Sequence, residues 1–113
     1  MTNGTTLRRM ALALEGTTAA PHFDRTAFKV ARTYLTLAAD GLSANFRFMP
    51  DEQALKCMLL PAAFSPVPNA WGAQGWTTGL LAAMTDDDLK AALETAWQHA
   101  RPRPKAAQKT KAK

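Results

Sequence analysis

RTYLTLAADGLSANFRF, residues 32–48, decides the fold. Its second half alternates cleanly: Leu42, Ala44, Phe46 and Phe48 interleave with Ser43, Asn45 and Arg47. That period of two puts successive side chains on opposite faces of a strand. Its first half, RTYLTLA, holds the aromatic and β-branched residues that strands favour. Between the halves stands Asp40-Gly41, a pair that tolerates positive φ and so predicts a tight hairpin. Upstream, TAFKVA is short and alternating, which adds a strand and makes a three-stranded meander.

Helices surround this meander. Leu7, Met10, Ala11 and Leu14 recur at helical spacing over about residues 5–15, with Gly16 as the stop. Pro50, Asp51 and Glu52 suit the first turn of a second helix, where Leu55, Met58 and Leu59 supply the expected buried face. Prolines break residues 64–70 into a loop or short edge strand. GWTTGLLAAM gives a last strand. Thr85 with Asp86, Asp87 and Asp88 opens the best-marked helix, since an acid three residues after the cap closes a capping box. Leu89, Leu93, Ala96 and Trp97 form its apolar stripe, which predicts Trp97 buried against the sheet. The order is α-β(3)-α-β(2)-α: an α+β fold, a two-layer antiparallel sheet with helices on one face.

With 113 residues the chain is long enough for one core, burying roughly 65% of its unfolded surface. The single Cys57 excludes an internal disulfide and a cysteine-based zinc cluster, and its place beside an apolar face suits an inert thiol. No apolar run approaches the roughly 18 residues that cross a bilayer, and the short ALALEG segment is no secretory h-region. These features predict a cytoplasmic protein without a membrane partner. The net charge of +5 is unevenly placed. Six of the 14 basic residues, among them Arg101, Arg103 and Lys105, lie in 101–113, which has no acid. Residues 1–100 hold eight basic residues against nine acids. A Pro- and Lys-rich segment without large apolar side chains cannot offset its ordering entropy, so 101–113 is expected to be a disordered basic tail.

The residues supply no catalytic constellation. The acids at 86–88 serve a helix dipole and cap rather than a metal. His22, next to Asp24 and Arg25 in PHFDR, has no second catalytic partner in sequence, and His99 suits a helix C-terminus. No phosphate-cradling glycine loop or nucleophile elbow is present. No cofactor or metal is expected.

LRRMALALEGTTAAPHFDRTAFKVARTYLTLA, then FSPVPNAWGAQGWTTGLLAAM, then LKAALETAWQHARP resemble the MmcQ/YjbR family in the right order over residues 7–102. That family shows ALxLPG, PHFGRPAF, a WGxxGW loop and a last helix with EAW. This chain departs at Glu15, Asp24 and Thr26. The resemblance implies a YjbR-like, CyaY-like domain over residues 1–100. It also implies a double-wing arrangement of the kind often named DNA-binding, and no catalytic residue. Within WGAQGW, Gly72 and Gly75 let the chain reverse, while Trp71 and Trp76 flank the turn as packing groups or, for Trp71, a stacking surface.

Register then sets the functional expectation. With Phe28, Val30, Leu35, Leu37, Phe46 and Phe48 facing the helices, Lys29, Tyr34, Thr36, Asn45 and Arg47 share the open face. An aromatic among basic and amide groups is a modest nucleic-acid platform. The sequence therefore reads as a small non-enzymatic module binding DNA without sequence selectivity. Lys29, Tyr34, Arg47, Arg25 and Trp71 would serve on the body, and Arg101, Arg103 and Lys105 in the tail. The alternative is a protein-interaction adaptor, since similar folds act as chaperones for other proteins.

Overall fold

A computed structural model of the chain describes residues 1–102. The hairpin at Asp40-Gly41 sits where the alternation ends. Gly41 has φ +74 and donates its N–H to Ala38, and the Asp40 carboxylate accepts from Leu42 N–H. The strands it joins are β3 (Thr33–Ala38) and β4 (Ser43–Arg47), antiparallel with Leu35 opposite Phe46 and Thr36 opposite Asn45. Around them lie β1 (Thr18–His22), β2 (Arg25–Lys29), β5 (Phe64–Pro66) and β6 (Trp76–Leu80). The six form one antiparallel sheet in the order β1-β2-β3-β4-β6-β5. The helices are α1 (Gly4–Ala13), α2 (Pro50–Leu59), the four-residue α3 (Ala70–Ala73) and α4 (Asp86–Ala100).

The fold is the expected two-layer α+β arrangement, with one strand more than the sequence pattern suggested. The extra strand, β1, is exposed along its whole length and interrupted by Pro21, so it shows no alternation to read. It pairs with β2 through a two-residue turn at Phe23-Asp24, where Phe23 takes φ 58. Asn3, Thr85 and their partners begin the two helices that cover the sheet. Asn3 accepts from Thr6 N–H, while Thr85 and Asp88 exchange both capping bonds at 3.0 Å. The acids at 86–88 therefore act as a helix start. Leu7, Ala11, Leu89 and Leu93 meet Phe28, Leu35, Leu37 and Phe46 in the core. Phe46, Phe48 and Phe64 contact one another with ring centroids about 6 Å apart.

Two expectations are corrected by packing. Tyr34 is not on the open face: it is fully buried, and its hydroxyl is 2.8 Å from that of Thr17. The ladder slips between Phe28 and Lys29, so Phe28 faces Leu35 while Lys29 faces Thr33. Tyr34 is the extra residue of that bulge, and the bulge turns its ring inward beside Leu35. Burial raises its phenol pKa above the ordinary value of 10.0, and the Thr17 bond opposes this.

The second correction concerns α2, which is rotated from its expected setting. Leu55, Met58 and Leu59 are 51%, 68% and 63% exposed. Polar residues take the inner side instead. Glu52 contacts His99 Nε2 at 2.8 and 3.0 Å, Gln53 donates to the carbonyls of Gly72 and Trp76, and Lys56 lies over the Phe48 ring. Burial pulls the Lys56 pKa down, against the opposing pull of Asp88 and Glu52. Cys57, partly buried on the same side, has its thiol pKa raised by burial. Trp97 is partly buried and packs against the core, and its indole N–H donates to the Glu15 carbonyl, which ties the segment after α1 to α4.

Candidate nucleic-acid interface

The face of the sheet opposite α1 and α4 has a floor of small residues. Ala27, Thr36, Asn45 and Thr78 run across β2, β3, β4 and β6 in one row of the ladder. Thr78 donates its hydroxyl to Asn45 Oδ1 at 2.9 Å, so the Asn45 amide nitrogen is the end free to meet a ligand. Over Thr36 and Asn45, larger side chains rise to border an open concavity of about 490 Å³. Arg25, Arg32 and Arg47 line it together with Trp71 and Trp76, Arg47 standing directly opposite Trp76 in the ladder. No acid lines it, and none of the three arginines has a carboxylate partner among the described residues.

Arg25 is fixed in place. Its Nε donates to Thr36 Oγ1 at 2.9 Å and its Nη2 to the Thr36 carbonyl at 3.2 Å. A guanidinium has five N–H donors, so most of the fork is still unspent. Thr36, only 8% exposed, is thereby a positioning residue for that fork.

The two tryptophans stand on WGAQGW. Asn69 accepts from Trp71 N–H and starts α3. A Cβ at Gly72 would collide with the Val67 carbonyl, and one at Gly75, whose φ is +113, with the Phe48 carbonyl. Both positions therefore require glycine. Gln53 of α2 ties the same turn down from behind. Trp71 is held on a rigid turn yet is 57% exposed. Trp76 meets it edge-to-face, with centroids 6.4 Å apart at 82°. The Trp76 indole N–H is shielded from solvent and has no acceptor among the described residues.

Of the residues expected to bind, Arg25, Arg47 and Trp71 come together here. Tyr34 does not, for the reason given above. Lys29 is exposed, paired with Thr18 and Thr33, and does not line the concavity. Arg101 is engaged elsewhere, stacked on Trp97 at 4.7 Å and donating to Gln98. Arg103 and Lys105 lie outside the described residues. Arg32 was missed, because it stands in the β2–β3 turn, where neither strand nor helix periodicity assigns a face. Its only sequence signal is a charge one residue before a strand. His22 also reaches the rim, edge-on to Phe23.

No family model matches this sequence, and neither does any curated protein. The fold is similar to that of the Deinococcus radiodurans protein DR2400, a crystal structure described as a DUF419 domain. The TM-score is 0.71 at 19% identity, covering 85% of this chain and 76% of that one. The likeness establishes the two-layer fold. No helix among the described residues is long and apolar enough to cross a membrane.

Proposed function

We propose that this protein is a non-enzymatic module that binds DNA through the open face of its sheet, with the basic tail adding non-selective affinity. One observation carries this reading: three arginines without carboxylate partners converge with an exposed tryptophan on one acid-free concavity. The setting makes the cluster informative. Residues 1–100 are nearly balanced in charge, yet three of their eight basic residues meet here. Cations gathered over a low-dielectric floor focus a positive potential, which suits phosphate groups. The ordered motifs shared with the MmcQ/YjbR family support placing the chain with those proteins, and the fold likeness to DR2400 is compatible with that placement.

The test separates body from tail. Replacing the six basic residues of 101–113 with Gln should weaken DNA binding at every sequence and reduce its salt dependence, while measurable binding persists. Complete loss in that variant would assign all binding to the tail and refute a site on the sheet.

A second reading rests on a different surface. Leu55, Met58 and Leu59 line the outer side of α2 at helical spacing, an exposed apolar stripe of the kind an adaptor presents to a partner protein. It becomes the better reading if the sheet-face variants bind DNA like the parent.

A further inference from the structure

Resting on the DNA-binding reading, we propose that the concavity seats one unpaired nucleotide, its base against Trp71 and its phosphates on the arginines. The open face would then select single strands over duplex. Three features lead there. The first is size: about 490 Å³ is within the range of pockets that enclose one small ligand, and a duplex cannot enter such a space. The second is the aromatic surface. Trp71 is exposed although its backbone is fixed by Asn69, Gln53 and the close approach of Gly72 to Val67. In an edge-to-face pair at least one face of the Trp71 ring is left clear of Trp76. A base can stack there only if it has left its own stack, so a duplex offers this ring nothing.

The third feature is donor chemistry. Arg25 is pre-positioned by Thr36, which reduces the ordering cost of gripping a phosphate, and Arg32 and Arg47 add charge in the same concavity. On the floor, the Asn45 amide nitrogen is left to meet a base edge.

The experiment uses the full chain and tryptophan fluorescence, with three probes at one ionic strength: an oligo-dT of about 12 nucleotides, its duplex with oligo-dA, and free thymidine monophosphate. Oligo-dT should quench the fluorescence and bind about 5- to 150-fold tighter than the duplex, with the free nucleotide much weaker than either strand. Trp71→Ala should lower oligo-dT affinity by that same factor while leaving the salt slope unchanged, and Trp71→Phe should keep most of the affinity. Circular dichroism of both variants guards against misfolding. Equal binding of strand and duplex, with Trp71→Ala silent, overturns this inference while leaving the DNA-binding reading intact. Free nucleotide binding as tightly as the strand also overturns it, in favour of a small-ligand pocket. No binding of any probe removes the underlying reading as well.

Discussion

The two faces of the central sheet are built from alternate residues of the same strands, yet they do opposite work. Toward the helices, Phe28, Leu35 and Phe46 are fully buried and pack against Leu7, Leu89 and Leu93. Toward solvent, Ala27, Thr36, Asn45 and Thr78 are small, three of them polar, and the charges stand around them rather than on them. The core face spends its side chains on apolar burial, where each large residue stabilises the fold by roughly 1.5–3 kcal/mol. The open face forgoes that burial. Its residues leave room instead, and a floor without bulk is what turns a twisted sheet into a concavity. The difference teaches that adjacent positions in one strand should respond to mutation in unlike ways.

The largest expected contrast is between neighbours on β4. Phe46→Ala removes a ring stacked on Phe48 and edge-to-face with Phe64, so it should cost about 3–5 kcal/mol in a denaturant titration. Asn45→Ala, one residue away, loses only a half-exposed hydrogen bond to Thr78 and should cost about 0.5–1 kcal/mol. Similar costs at the two positions would break the division between faces.

Tyr34 sharpens the boundary, because only the bulge puts it on the core side. Tyr34→Phe keeps the ring and loses the Thr17 bond, so the cost near neutral pH should be about 1 kcal/mol. The parent should also show an alkaline dependence. Burial raises the folded-state pKa above 10.0, so Tyr34's contribution is intact below that value and is lost as pH rises through the higher folded pKa. Stability measured from pH 9 upward should fall less steeply in Tyr34→Phe than in the parent. Parallel curves would place the phenol in solvent and return Tyr34 to the open face.

Much of this architecture was legible because local signals agreed with the global fold. The hairpin at Asp40-Gly41, the alternation of 42–48 and the Thr85–Asp88 capping box each had a residue-level cause that packing had no reason to override. What was not legible depended on partners distant in sequence. Tyr34 turns inward because the ladder slips one residue opposite Lys29, a choice made by β2 and by Thr17. The polar side of α2 faces inward because His99 and the carbonyls of Gly72 and Trp76 wait there, 19 to 47 residues away in sequence. For the candidate site, Arg25, Arg47 and Trp71 could be named from strand register and the WGAQGW loop. Arg32 could not, since a turn residue has no face until the strands beside it are placed.

The most direct measurement of the central claim, that the open face holds phosphates, is the salt dependence of DNA binding by the full chain and its Arg32→Ala/Arg47→Ala double variant. Both residues line the concavity, and neither has a hydrogen bond to the protein through its side chain among the described residues. Their loss should therefore leave the fold intact. If each contacts one phosphate, the slope of log K against log salt should fall by about 1.4 for a single strand, with a loss of affinity at every salt concentration. A double variant that matches the parent in both slope and affinity would contradict the account.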